Sequence, residues 1–123
     1  TVEGVARNLR WLSPAVDALC GRSGEELVFA GGAARSGAVA QVLADVTGQP
    51  VHVVERPEIA AALATGQVAA RRSAGIDPST VALPITSEYF PDPATREVHD
   101  NLQPVFEAAF TVSAPICQSL VHE

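Results

Sequence analysis

Residues 27–36 read LVFAGGAARS, and this stretch decides the predicted fold. Its four leading apolar residues predict a short buried strand that ends at Gly31-Gly32. Small residues between a strand and a helix let a ligand approach the backbone, and a helix N-terminus directs free N–H groups towards phosphate. The stretch therefore suggests a nucleotide site, although a Gly-Gly pair at such a junction also serves as a plain tight turn.

The flanking segments predict an alternation of helices and strands. From Ser36 onward apolar residues recur at helical spacing until Gly48, and residues 51–54 predict a second strand. Pro57 and Glu58 suit the first turn of an Ala-rich helix that continues to about residue 73 or 74. Upstream, the spacing of Val5, Leu9, Leu12, Val16 and Leu19 predicts an amphipathic helix, which Pro14 either interrupts or restarts.

The last third of the chain carries weaker signals. Residues 77–84 suggest a loop with some extended character, and residues 89–93 suggest a hinge. A final helix is expected from residue 94 to about 110, and a short terminal helix after residues 113–115. No internal repeat is present in the sequence.

Strand, helix, strand, helix is an α/β order with parallel strands. Two strands are few for such a sheet, so we expect the edges of both to be unpaired in an isolated chain. The missing strands are then expected upstream in a longer parent protein. The chain starts at Thr1 rather than Met, which agrees with a fragment or a trimmed product.

Composition narrows the class of partner. The 123 residues, 47% hydrophobic and 18% charged, fit one globular domain, and the net charge of −6 argues against a nucleic-acid surface. The longest apolar stretch, residues 59–64, is far shorter than the roughly 20 residues that span a bilayer, so no membrane partner is expected.

The two cysteines, Cys20 and Cys117, lack the spacing of a zinc site, and their small number agrees with a reducing cytoplasm. The histidines, His52, His99 and His122, are interpreted as structural or surface residues.

The ordered set of short motifs resembles the C-terminal domain of the FGGY carbohydrate kinases, most closely their xylulokinase-type members. The family pattern of GGGARS, Q, LADVTGxPV and a Glu before an Ala-rich helix is matched at residues 31–36, 41, 43–51 and 58. Residues 3–10 and 90–93 extend the likeness. Three departures leave the adenine pocket uncertain in detail: Ala33 replaces the third glycine, as in the glycerol-kinase branch, Ala64 replaces a glycine, and Val39 stands where a bulky aromatic is usual.

The resemblance implies a fold and a set of contacts. The fold would be part of an actin-like ATPase, ribonuclease H-like domain, with few parallel strands flanked by helices. Residues 1–123 would be the C-terminal portion of the nucleotide-binding domain, without the N-terminal sugar-binding and catalytic domain. Gly31, Gly32 and Ala33 would line the nucleotide near its α-phosphate and ribose. Ser36 would lie near the adenine, act as a helix N-cap, or both.

Other polar residues have a structural interpretation beside the functional one. Arg35 either covers the adenine or points into solvent, and the solvent interpretation is favoured because exposed arginines are common. Gln41 and Asp45 share a helical face and are expected to form a hydrogen-bonded pair rather than to catalyse. Glu58 is expected to start a helix rather than to bind a metal.

By the same resemblance, the parent would use ATP and Mg²⁺ to phosphorylate a hydroxyl of D-xylulose or a related ketose or polyol. Phosphoryl transfer needs Mg²⁺ and an activated hydroxyl. Neither catalytic residues nor metal ligands are assigned within this chain, so the fragment alone is expected to be inactive. ATP or ADP, and the sugar through the missing domain, are the expected partners, with a homodimer as one option. The alternatives are a non-catalytic nucleotide-binding scaffold of the actin-like fold and an unrelated NAD-binding module.

Overall fold

The computed structural model describes residues 1–21, 23–77 and 83–120, with side chains left out at residues 114 and 116–120. His122, the side chain of Cys117 and much of the predicted loop at residues 77–84 therefore lie outside the described residues. The described elements are α1 (Val2–Cys20), β1 (Leu27–Phe29), α2 (Gly37–Thr47), β2 (Val51–Val54), α3 (Ala60–Ser73), β3 (Ile85–Tyr89) and α4 (Pro93–Leu120). Two 3₁₀ turns, Gly32–Arg35 and Pro57–Ile59, precede α2 and α3.

The sheet has the order β1-β2-β3, with β2 in the centre. The strands β1 and β2 run parallel, with Leu27 opposite Val51, as the sequence predicts. The strand β3 is antiparallel to β2 and places Tyr89 opposite Val51. The strand β3 is not among the predicted strands, and the expectation of an unpaired edge at residues 51–54 is wrong because β3 covers that edge.

The core forms where α2 packs on one face of the sheet. On α2 the buried residues are Ala40, Leu43, Ala44 and Val46, and they pack against Val51 and Val53 of β2. In a strand successive side chains point to opposite faces. Accordingly Val28, on the other face of β1, is 65% exposed. The main core cluster thus lies between α2 and the sheet, while Val54 of β2 and Ala60 of α3 are buried outside that cluster, at 1% and 2% exposure.

Both long helices pass through prolines. The helix α1 contains Pro14 without a break, so the alternative of a restart there is not adopted. The helix α4 contains Pro104 and Pro115, and the predicted end near residue 110 with a separate terminal helix is wrong. A helix-interior proline costs about 3 kcal/mol. Tertiary contacts oppose that cost, as where Trp11 of α1 meets Phe110 of α4 edge to face, with ring centroids 4.8 Å apart.

A polar network that local sequence patterns do not predict joins α1 to α2 and α4. Arg7 is only 6% exposed and donates to the backbone oxygen of His99 at 3.2 Å. Arg10 donates to the backbone oxygen of Val46 at 3.1 Å and pairs with Asp100. Hydrogen bonds to charged groups are stronger than neutral ones. These contacts hold the three helices in register.

Each helix within the described residues is too short or too polar to span a bilayer.

Candidate functional site

The loop between β1 and α2 holds the four residues predicted to contact a nucleotide. Gly31 has a φ of 97°, a backbone conformation that side-chain-bearing residues rarely adopt. Its N–H donates to the carbonyl oxygen of Pro57 at 2.7 Å. Because Pro57 follows β2, this bond joins the exits of the two parallel strands. In parallel α/β sheets, ligands bind at this carboxyl edge.

The middle of the loop is open to solvent. Gly32 and Ala33 are exposed and Gly31 is half-buried. A Cβ atom built on Gly32 would meet no heavy atom within 4 Å. A ligand therefore has room to approach the backbone over Gly32, which is the property that the small residues of this stretch predict. We call residues 31–36 the glycine loop.

Ser36 occupies the N-cap position of α2 with φ −99° and ψ 108°, as one of its two interpretations expects. Its side chain makes no capping hydrogen bond, however, and is exposed. The first turn is instead closed by the backbone, since the oxygen of Ser36 accepts from Val39 and Ala40 at 3.1 Å each. Ser36 is thus exposed at the point where the glycine loop meets α2. Arg35 is exposed, in agreement with its solvent interpretation.

A small open pocket of about 340 Å³ lies between the glycine loop and β3. Ala34, Arg35 and Gly37 line it from the loop side, and Glu58 lines it from the second 3₁₀ turn. Tyr89 contributes from β3. The loop, both strand exits and β3 therefore converge at one place, although they are far apart in sequence.

Gln41 and Asp45 form the predicted hydrogen-bonded pair, with Gln41 Nε2 2.8 Å from Asp45 Oδ1. The same amide donates to the backbone oxygen of Phe90 at 2.8 Å. The Asp45 carboxylate also accepts from the backbone N–H of Asp92 at 2.8 Å. Both side chains are thus used to join α2 to the segment after β3, which is a structural role. Glu58 lies in the second 3₁₀ turn ahead of α3, as predicted for a helix-start residue.

The side chains that could bind a metal do not converge among the described residues, where no group of three His, Cys, Asp or Glu is suitably placed. The nearest arrangement, which the sequence analysis missed, surrounds His52. Its Nε2 lies 3.1 Å from Glu26 Oε2 and its Nδ1 lies 3.2 Å from Glu88 Oε1. Because the two carboxylates face opposite ring nitrogens, the three groups cannot ligate one ion. The cluster instead joins β2 to β3 through Glu88 and to the residue just before β1 through Glu26.

A further electrostatic interaction lies away from the loop, on α4. Hydrogen bonds from Arg10, and then from Arg96, lower the pKa of the Asp100 carboxyl below its ordinary value of 3.8. Hydrogen bonds to a carboxylate favour its charged form. This carboxylate serves the helix network rather than the glycine loop.

Sequence reasoning found the glycine loop but missed what stands beside it. Pro57 and Tyr89 complete the surroundings of the loop, one by a backbone bond and the other by its ring. A weak signal for Tyr89 was present, since β-branched and aromatic residues at 85, 86 and 89 favour a strand. The pairing of that strand with β2 depends on tertiary structure and is not visible in local sequence.

Comparison with known proteins gives one family. The profile of the FGGY family of carbohydrate kinases, C-terminal domain, matches residues 1–70. An autoinducer-2 kinase from Enterobacter sp. (strain 638) is 37% identical over 92 residues, which is 70% of this chain and 17% of that protein.

Solved kinases share the fold. A xylulose kinase from Rhodospirillum rubrum superposes with a TM-score of 0.71 at 28% identity, over 94% of this chain and 24% of that one. A kinase from Brucella ovis described as a xyloylose kinase reaches a TM-score of 0.77 at 22% identity, again over 94% and 24%. A gluconate kinase from Lactobacillus acidophilus gives 0.71 at 22% identity, over 92% and 23%. This chain thus spans at most about a quarter of the length of the relatives it matches.

Proposed function

The chain belongs to the FGGY family of carbohydrate kinases, and from this premise we propose that it supplies the adenosine side of an ATP site. The single observation that carries the proposal is the glycine loop, whose exposed backbone lies at the carboxyl edge of two parallel strands and leads into α2. Backbone N–H groups at a helix N-terminus favour phosphate without needing basic side chains. A site of this kind is compatible with a chain of net charge −6.

Each loop residue has a proposed role. Gly31, Gly32 and Ala33 present the backbone to the α-phosphate and ribose, and Ser36 places its hydroxyl near the adenine. Gly32 supports this assignment because a side chain there would project into open space rather than into the protein. Its smallness is not needed for folding, so a ligand is the simpler reason for it.

The proposed reaction is transfer of the ATP γ-phosphate to a hydroxyl of a sugar, with D-xylulose or a related ketose or polyol as the acceptor. The 28% identity to the Rhodospirillum rubrum xylulose kinase supports xylulose. The 37% identity to an autoinducer-2 kinase keeps other polyhydroxylated acceptors in the proposal. The remaining polypeptide of the kinase would supply Mg²⁺ ligands, the base and the sugar contacts, which phosphoryl transfer needs. The cytoplasm is the proposed compartment.

The test is calorimetric titration of the chain with Mg-ATP and, separately, with NAD, after circular dichroism has shown that it is folded. The informative variant is Gly32→Trp, which should weaken ATP binding at least about tenfold by filling the space over the loop, a loss of about 1.4 kcal/mol. Its matched control is Gly66→Trp on α3, since a Cβ at Gly66 also meets nothing within 4 Å. The control should bind ATP like the parent chain.

Three outcomes would change the proposal. Equal ATP affinity in both tryptophan variants would remove the glycine loop from the site. Binding of NAD in place of ATP would point to a dinucleotide-binding module. ATP binding by the longer kinase polypeptide without phosphorylation of any ketose or polyol would favour a nucleotide-binding scaffold.

A further inference from the structure

The end of β3 and the segment that follows it run along one face of α2 and approach it at three levels. Those levels are Gly37, Gln41 and Asp45, which are four residues apart and therefore lie on one side of the helix. We call Tyr89, Phe90 and Asp92 the clamp. Its first member faces the beginning of α2 and its last member faces the third turn.

The two lower contacts are hydrogen bonds. Gln41 Nε2 donates to the oxygen of Phe90, and the N–H of Asp92 donates to Asp45 Oδ1, both at 2.8 Å. Gln41 and Asp45 are also bonded to each other. The Asp45 carboxylate therefore accepts two hydrogen bonds, one from its own helix and one from the clamp. This arrangement fixes the distance between the clamp and α2.

The upper contact is steric. A Cβ atom on Gly37 would lie 2.6 Å from the hydroxyl oxygen of Tyr89, 3.4 Å from its Cζ and 3.5 Å from its Cε1. Gly37 is not among the glycines with positive φ, so its backbone would accept alanine. The Tyr89 phenol thus occupies the space into which a side chain at residue 37 would project. Tyr89 is itself held by pairing opposite Val51 and by packing against the core.

Gly37 is also the residue at which the glycine loop becomes α2. The loop is fixed at its start by the bond from Gly31 to Pro57. The Ser36 side chain makes no capping bond, and among the described residues the end of the loop is bonded only to its own turn and to the first turn of α2 through the Ser36 backbone. We propose that Tyr89 fixes that end, as a positioning residue that sets where α2 begins and thereby where the glycine loop presents its backbone to the nucleotide. The inference rests on the proposed function for what the loop binds, while the placement of the loop stands on the contacts alone.

The experiment uses Gly37→Ala with and without Tyr89→Phe. Alanine at 37 collides with the phenolic oxygen, and relief of that overlap by movement of the loop should weaken Mg-ATP binding about tenfold, which corresponds to about 1.4 kcal/mol. Phenylalanine at 89 removes that oxygen and leaves ring carbons at ordinary contact, so the double variant should return to within about twofold of the parent. Gly66→Ala, where no neighbour lies within 4 Å, is the matched glycine control.

A second readout does not depend on ATP. The backbone amide chemical shifts of Gly31 and Gly32, measured in ¹⁵N-labelled protein, should move in Gly37→Ala, return in the double variant and stay unchanged in Gly66→Ala. Unchanged shifts in Gly37→Ala, or no return on adding Tyr89→Phe, would overturn the inference. If the parent chain ignores Mg-ATP, the proposed function fails while the amide shifts still decide whether Tyr89 positions the loop.

Discussion

The helices α2 and α3 occupy equivalent positions in the strand, turn and helix order of the chain, but they differ in how much of each helix is buried. Each follows a parallel strand through a 3₁₀ turn, and each is rich in alanine. The helix α2 buries four of its eleven residues. The helix α3 has fourteen residues, of which Ala60 alone is buried. Leu63 and Val68 on α3 are 38% and 36% exposed.

The difference comes from the positions of the large apolar side chains. On α2 they fall at steps of three and four residues and form one stripe: Val39, Val42, Leu43 and Val46. On α3 they are Leu63 and Val68, which are five residues apart and lie about 140° apart around the helix. Alanines alone bury little area per residue, so the hydrophobic gain, about 25 cal/mol per Å², stays small. Spacing of large residues, rather than helical propensity, decides which helix enters the core.

The most direct test of the difference in burial between α2 and α3 is to truncate one leucine on each helix. Leu43→Ala removes a side chain that is 6% exposed and should lower the free energy of unfolding by about 2 to 5 kcal/mol. Leu63→Ala removes one that is 38% exposed and should cost less than about 1 kcal/mol. Urea unfolding followed by circular dichroism measures both. Equal losses would mean that α3 is buried as deeply as α2.

The C-terminal glycines of the two helices give a second matched pair. Gly48 after α2 has φ 72° and Gly75 after α3 has φ 70°. Alanine in this left-handed region costs about 1 kcal/mol, which should be the whole effect of Gly75→Ala because no atom lies within 4 Å of its Cβ position. At Gly48 the Cβ would also overlap the Arg96 guanidinium, so Gly48→Ala should cost about 2 kcal/mol.

Thermal unfolding of these two variants separates the cost of the left-handed backbone from the cost of the overlap with Arg96. The larger loss in Gly48→Ala should shrink towards that of Gly75→Ala when Arg96 is shortened to alanine in both backgrounds. A loss that is the same in Gly48→Ala and Gly75→Ala would mean that Arg96 moves aside without cost.

A stabilising change should succeed on α3. Gly66 lies inside this exposed helix with no neighbour near its Cβ position and no positive φ. Replacing an interior helical glycine by alanine gains about 0.5 to 1 kcal/mol through the unfolded chain and the helix propensity. The measurement is the shift in urea midpoint at unchanged slope. Destabilisation by Gly66→Ala would show that α3 packs against something at this position.

The smallest expected effect concerns the end of α2, where Arg10 bonds both Val46 and Asp100. The folded-state pKa of Asp100 is lowered below 3.8, so its contribution to stability is fully present above that pH. It is lost as the pH falls through the lowered value. Asp100→Asn should therefore lower the free energy of unfolding slightly at neutral pH, where the contribution is fully present, and make its decrease below about pH 4 shallower. An identical acid limb in the variant would exclude a role for Asp100.

The sequence predicts the parts of this fold that depend on local pattern. The apolar stripe of α2, the strand at residues 51–54 and the glycine loop all rest on residues within a dozen positions of one another, and each is found. The strand β3 was missed because Thr86, Ser87 and Glu88 are polar and draw their stability from pairing with β2. For α4, the predicted helix ran through Pro104 but ended near residue 110, and a separate helix was expected after residues 113–115. Local rules count the cost of Pro115 and not the contacts that offset it.

The candidate site divides in the same way. The hydrogen bond between Gln41 and Asp45 follows from helical spacing and was predicted. Its continuation to Phe90 and Asp92 spans 47 to 49 positions of sequence and was not. The steric contact between Gly37 and Tyr89 could not be predicted either, since nothing near Gly37 in sequence shows that a phenol lies over it. Local chemistry locates the loop, and long-range packing shapes it.

The bond from Gly31 to Pro57 has a consequence for motion. Because this N–H is held at 2.7 Å by the turn after β2, opening it requires the two strand exits to separate. Its amide proton should exchange with deuterium only through such a concerted opening. The neighbouring Gly32 is exposed and should exchange freely. The amide of Gly31 should thus exchange more slowly than that of Gly32, the first measuring the stability of the sheet edge and the second the openness of the loop.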